Sequence, residues 1–373
     1  MYSLPFCTST LTSMHKTKIT LALVLTVLAP LLVASPVKAV DASESKMRLV
    51  KTFTGSLSPK SVTASQSGLV SAHNMMYQHS VSIFDSSSLE LISTVKDSVS
   101  LSALGVPGFP GTYKGAPVEG AYSPDGEYLY FTNYSMYGKG FNKEGHDVCS
   151  PSSGYDTSFL SRINLSNYKI DAVYPVGSVP KVVSVTPDNK YVLVSNWCSY
   201  TVSIISVEKQ KVIKTLKIGR YPRGIAITSD SRYAYVAEMG GNSIHRIDLI
   251  DFTKSLIPIG SNPRAIQLSS DDKTLYATLN ISGKVIAWNL EANKVIKSVK
   301  TGLAARSLAL NGDGSALFVV NFKSGTMTKL RASDLSIIQN IKVCKEPIGV
   351  TYDNETESTW VACYEGSIKV FQN

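Results

Sequence analysis

The first 39 residues contain no aspartate or glutamate. An acid-free start carrying Lys16 and Lys18, an apolar run from Ile19 to Val33, and then Val37-Lys38-Ala39 has the order of a secretory leader: basic, apolar, small. The run is too short for a bilayer span and Pro30 interrupts it. We therefore expect cleavage after residue 39, a short linker over 40–46, and a chain exported to the periplasm or the cell exterior. No later stretch is apolar enough to cross a membrane, so no span is expected once the leader is removed. No cysteine stands at the expected cleavage point, which argues against a lipid anchor.

Other absences narrow the chemistry. No Cys-x-x-Cys-His occurs, so covalent c-type haem is not encoded. No Gly-x-Ser-x-Gly elbow and no phosphate-cradling loop appears. His73, His79, His146 and His245 are scattered without ligand spacing and read as isolated surface histidines. No metal and no cofactor is expected. Long helical periodicity is missing as well, while Gly, Ser, Thr, Tyr and Val are plentiful. Removing the leader's three lysines leaves 34 basic residues against 28 acidic ones, a net charge of +6. That balance is mildly basic and falls short of a dedicated nucleic-acid binder.

What is present is a repeat. Pro59, Pro117, Pro180, Pro222, Pro263 and Pro347 mark one slot, which Ala305 fills once; from Pro180 onward the spacing is 42, 41, 42 and 42 residues. Gly177, Gly219, Gly260 and Gly302 keep step three residues earlier, with Cys344 in the fifth place. A turn recurs eight residues after the slot: Asp125-Gly126, Asp188-Asn189, Asp230-Ser231, Asp271-Asp272 and Asp313-Gly314. Such pairs tolerate the positive φ a hairpin requires. Alternating runs such as "YVLVSN" and "TVSIIS" flank each turn. Each unit thus reads as four antiparallel strands, in the third unit about 181–186, 190–196, 201–206 and 211–218. A four-stranded sheet repeated at this period is a propeller blade. Seven slots give an all-β, seven-bladed propeller over 47–373. The last unit stops after its third strand, and "MRLVKTFTG" (47–55) resembles the fourth-strand text "QKVIKTLKIG". The N-terminal strand is therefore expected to close the last blade and remove the open edge.

The pattern Pro-Arg-small-apolar, an Asp-Gly-like turn, then "YLYFTN" or "YVLVSN" resembles the YVTN-repeat propellers, which include exported YncE-like proteins. Lactonase-type and amine-dehydrogenase-type propellers are similar in architecture. The resemblance covers nearly all of 47–373 and implies the fold far more than the function. It implies three classes of activity: a binding module, with DNA among the ligands of YncE-like members; a lactonase-like hydrolase; or an electron-transfer subunit.

Strand alternation assigns faces. If the first strand of each blade runs from top to bottom, the fourth-to-first connections and the second-to-third hairpins share the top. The residue after the slot then forms a ring at the channel mouth: Lys60, Val118, Lys181, Arg223, Arg264, Arg306 and Ile348. Five of the seven are basic. Each cation either pairs with a carboxylate in blade packing or joins an anion site. Two insertions, 101–115 and 134–157, emerge beside the ring with Phe109, Tyr113, Tyr134, Tyr137, Phe141, Tyr155, Lys114, Lys139, Lys143 and His146. They are a contact surface or a packed cover for the channel. Of these, Tyr134, Tyr137 and His146 join the five ring cations as candidate ligand-binding residues. Glu119 stands where other blades carry Gly224, Ala265, Ser307 and Gly349; it is a counter-ion for Arg223 or Lys181, or a weak catalytic candidate. Glu238, replacing a recurrent Asn, is expected to act similarly. Cys149, Cys198, Cys344 and Cys363 remain after the leader, and of three pairings 149–198 and 344–363 fit the geography best. We expect a monomeric exported scaffold that binds an anionic ligand (polyanion, envelope glycan or nucleic acid) or a protein partner on its top face.

Overall fold

The computed structural model describes residues 44–372; the expected leader and most of the expected linker lie outside them. Seven antiparallel sheets follow one another around a ring. The third blade shows the pattern, with strands Pro180–Val185, Tyr191–Asn196, Thr201–Ser206 and Lys211–Lys217 hydrogen-bonded in sequence order. Among the described residues the only helix is a single 3₁₀ turn, Pro151–Ser153.

Why these segments form these layers is visible in their side chains. The inner three strands are nearly continuous Val, Ile, Leu, Ala and Tyr, buried on both faces between neighbouring blades; "YVLVSN" is buried at every position but the first. Each of the seven interfaces has its own apolar cluster. The fourth strands face solvent and are punctuated with lysine, as in "KVIKTLK" and "KVIKSVK". Charge along an outer edge discourages pairing with another chain.

The ring closes as its ends predict. Arg48–Phe53 pairs antiparallel with Ser367–Gln372, completing the sheet that begins with Pro347–Asp353 and Ser358–Cys363. Phe53, on the closing strand, stacks 5.5 Å from Trp360, which is fully buried and also meets Phe84 of the first blade at 5.9 Å. Residues 44–47 are not a free linker. Met47 is buried, its N–H donates to Gln339 Oε1 at 2.7 Å, and Glu44 is salt-bridged to Arg331, so this segment lies along the sixth blade.

Two turn geometries recur. The expected positive φ is present at Gly126, Asn189, Ser231, Asp272 and Gly314, at the ends of the first strands. A second series lies just before the slot: Val179, Tyr221, Asn262, Ala304 and Glu346 have φ between 54° and 58°. A left-handed non-glycine residue is uncommon and costs about 1–2 kcal/mol. Repeated in five blades, it reverses the chain sharply enough to start each first strand at the channel wall.

The second blade departs from the repeat. Its first two strands lengthen to Tyr113–Tyr122 and Tyr128–Tyr137, and Ser98–Val99 adds a short fifth strand at its inner edge. The ends of both insertions, read from the sequence as loop, are therefore strand. Phe109 stacks on Phe141 at 5.1 Å, and both meet Tyr113 and Phe159 edge-on. These rings face one another and form a satellite core with Leu101 and Met136, so they are a packed support rather than an open aromatic surface.

Candidate functional site

Hydrogen bonds confirm which loops share a face. Trp197 and Cys198 N–H, in a second-to-third hairpin, donate to Val179 and Ser178 carbonyls in the preceding fourth-to-first connection. The slot residues therefore surround the channel beneath these loops. A cavity of about 260 Å³ occupies the channel, and Arg223, Arg264, Arg306, Glu119 and Ile348 are in its wall.

Each basic side chain has a distinct environment. Lys181 is 4% exposed; its Nζ donates to Asp147 Oδ1 at 2.8 Å and lies 4.2 Å from the ring of Tyr134 and 5.4 Å from that of Trp197. Arg223 is 6% exposed and donates through Nη2 to Glu119 Oε1 at 2.7 Å. Buried Arg264 donates through Nη1 to the carbonyl of Arg306. Arg306 lies 4.0 Å over Phe322, and Lys60 4.9 Å over Tyr364. The second blade's Val118 and the seventh's Ile348 are buried apolar members of the ring.

The charges do not balance. Among the described residues, five basic side chains face two salt-bridged carboxylates, Glu119 and Asp147, an excess of two to three charges at neutral pH because Lys60 titrates near 7. Burial and then repulsion by Lys181 and Arg306 lower the Lys60 ammonium to about 7. Burial lowers Lys181 to about 8 even with Asp147 beside it. Burial, Arg223 and Arg306 pull Arg264 well below the ordinary guanidinium, and burial with Arg223 brings Arg306 to about 10. A guanidinium keeps its proton at neutral pH, so for the arginines these shifts express the cost of holding buried charge, with repulsion between the cations adding to it. Burial opposes ionisation of Asp147, but the charge and hydrogen bond of Lys181 outweigh it and hold that carboxyl below its usual range. Two guanidinium nitrogens, Arg223 Nη1 and Arg306 Nε, are buried without a hydrogen-bond partner among the described residues. Orphaned charged donors are costly and point to a ligand.

Asp147 is a ring member that the sequence did not reveal. The second insertion delivers it, and the disulfide Cys149–Cys198 ties that insertion to the third blade. Trp197 Nε1–H donates to the Asp147 carbonyl at 2.9 Å, and Trp197 stacks on Tyr221 at 4.4 Å, which fixes the same loop. The second disulfide, Cys344–Cys363, links the end of the sixth blade's outer connection to the seventh blade. Both pairings favoured from the sequence are therefore formed. A second overlooked feature is a set of residues one position past the Asn register of each second strand: Met75, Tyr134, Trp197, Met239, Asn280, Phe322 and Tyr364. Four of its members are the aromatic rings beside the ring cations. The signal was the residue following the recurrent Asn, whose changing identity conceals its common position.

Of the candidate ligand-binding residues, Lys60, Lys181, Arg223, Arg264, Arg306 and Tyr134 come together. Tyr137 and His146 make their contacts elsewhere: Tyr137 O–H donates to Glu144 Oε1 at 2.5 Å and meets His79 edge-on, while exposed His146 accepts from Val148 N–H through Nδ1. His73 is not a surface residue. It is fully buried, its Nδ1 is 2.9 Å from Ser61 Oγ, and burial lowers it to about 3, so it stays neutral at ordinary pH. Glu119 is the partner of Arg223. Glu238 accepts from Arg220 N–H at 3.1 Å, one position further along the connection than the Gly177 N–H that Asn196 accepts from in the blade before, so it caps the connection as the Asn does and has no bond to a ring cation among the described residues. His245 also lies 3.2 Å from it.

No curated protein matches the chain. Among solved structures, hydrazine synthase of Kuenenia stuttgartiensis is similar, with a TM-score of 0.67 at 15% identity over 86% of this chain and 97% of that one. At that identity the likeness concerns the fold alone. Residues 152–310 match the family model described as YNCE-like beta-propeller. Those residues run from the end of the second blade's insertion to the first strand of the sixth, and they lie within a chain that folds as a seven-bladed propeller.

Proposed function

We propose that this propeller is a binding module whose top face engages an anionic ligand. The observation that carries the reading is a largely buried ring of five basic side chains against two salt-bridged carboxylates, with Arg223 Nη1 and Arg306 Nε unpartnered among the described residues. Buried charge of one sign is tolerated where a ligand supplies the other. The aromatic rings beside the cations add flat apolar surface there, suited to the planes of sugars or bases. The two disulfides are consistent with an oxidising, exported location. Glu119 supports this reading better than a hydrolytic one, because its carboxylate is committed to Arg223 at 2.7 Å.

The test is binding of labelled single-stranded DNA, as a generic polyanion, followed by anisotropy across a salt series. Wild type is compared with the triple variant Arg223→Ala, Arg264→Ala, Arg306→Ala. Salt-sensitive binding lost in the variant supports the reading. Equal binding by both proteins returns the arginines to blade packing.

A further inference from the structure

The ring's orphaned donors bear on the size of the ligand as well as its charge. Arg223 Nη1 and Arg306 Nε are within the wall of the channel, and their residues stand in the fourth and sixth blades with Arg264 between them. Whatever satisfies the guanidinium edges must enter the channel. The space there, about 260 Å³, is smaller than pockets that take drug-sized molecules, which run to roughly 300–1,000 Å³. Below the ring the wall turns to hydroxyl and amide groups, Thr63, Gln267 and Thr351, which suit hydroxyls on a ligand.

From this we infer that the channel takes one compact oxyanion of two or three negative charges, a small di- or tricarboxylate or a phosphate ester. It is held by the arginine arc of Arg223, Arg264 and Arg306. This deepens the anion-binding reading and rests on it. The charge requirement follows from five basic side chains set against two salt-bridged carboxylates, against which a monoanion leaves the ring unbalanced. Planar carboxylates and phosphate oxygens match the paired N–H edges of guanidinium, which lysine cannot reproduce. Glu119, on the second blade, holds Arg223 through Nη2 and leaves Nη1 without a partner among the described residues. Arg264 is fixed by its bond to the Arg306 carbonyl. The arc is therefore preorganised, and little side-chain ordering remains for the ligand to impose.

The experiment uses the full chain with citrate, inorganic phosphate and acetate as probes, and a twelve-residue oligothymidylate as the polymeric comparison. Calorimetric titration and thermal unfolding are run at constant ionic strength set by chloride. We expect one citrate per chain, an upward shift of the unfolding midpoint, and weaker or absent binding of acetate. Arg306→Gln should weaken citrate at least tenfold. Arg223→Gln provides a second variant should the first fail to fold, and Lys211→Gln, on an exposed outer strand, should change nothing. Oligothymidylate that binds, is lost in Arg306→Gln and is unaffected by citrate would overturn the compact-anion inference while leaving the broader reading intact. Absence of binding by every probe would overturn both. Displacement of oligothymidylate by one equivalent of citrate supports the inference, since a small anion then holds the shared site.

Discussion

Asp97 offers the sharpest quantitative test of how this fold treats charge. It follows the first blade's outer strand, is 1% exposed, and neither of its carboxyl oxygens has a hydrogen-bond partner. Asn133 Oδ1, also buried, is likewise unpartnered. The two acceptors converge on Gly115, where a Cβ would sit 2.2 Å from Asp97 Oδ2 and 2.4 Å from Asn133 Oδ1. In the sixth blade the same arrangement is made by Thr301, whose Oγ donates to Asn321 Oδ1 at 2.8 Å. Asp97 can play the threonine's part only if it carries a proton, and burial raises its carboxyl from 3.8 to about 8. The native state therefore holds this proton more tightly than the unfolded chain. Its contribution is greatest below pH 3.8, falls as pH rises toward 8, and levels off above that. The loss is about 1.4 kcal/mol per pH unit within the window, or about 4 kcal/mol by pH 7. Asp97→Asn removes the titration and supplies an amide donor to Asn133. Urea unfolding of both proteins from pH 4.5 to 8.5 should show the variant gaining on wild type by about 1 kcal/mol or more per unit. Parallel stability curves would refute the reasoning, because they would mean that Asp97 is ionised in the native state.

Two further predictions concern the ring. Lys60 faces the cations Lys181, Arg306 and Arg223 and the carboxylate of Asp147, and it titrates near 7. A bound anion favours its charged form, so anion binding should take up protons near pH 7 and weaken as pH rises to 8.5. Titration in buffers of different ionisation enthalpy reads the uptake, and Lys60→Gln should remove most of it at pH 7, leaving the smaller share of Lys181 toward pH 8. Replacing Cys149 and Cys198 together by alanine opens a loop 49 residues long. The expected cost is about 2–4 kcal/mol in chemical unfolding, with faster proteolysis within 134–157 and weaker anchoring of Asp147.

The repeat made the architecture legible because each constraint recurs: the slot, the turn and the alternating strands appear blade after blade. The ring cations were readable for the same reason, since one register position lines the channel in every blade. What escaped was set by contacts outside the repeat. Asp147 arrives on an insertion with no counterpart elsewhere, and only the disulfide to Cys198 and the stack of Trp197 on Tyr221 bring it to Lys181. The left-handed residues before the slot are Val, Tyr, Asn, Ala and Glu, none of which advertises positive φ except Asn. His73 looked like a surface residue because a polar side chain on a strand usually faces water. Its neighbour across the blade interface is Gly120, whose missing side chain makes room for the imidazole.

The pairing of Arg48 with Gln372 has a consequence of its own. The first described strand and the last are neighbours, so the ring of described blades is closed by a sheet built from both of its ends. Joining the two ends by a short tether and cutting at an exposed bottom turn such as Asp230-Ser231 should return the same ring with a new order of synthesis. In the natural order, the strand that emerges first must wait through six complete blades for its partner. Until then the seventh sheet has a vacant edge, and its completion is the event that turns an arc into a circle.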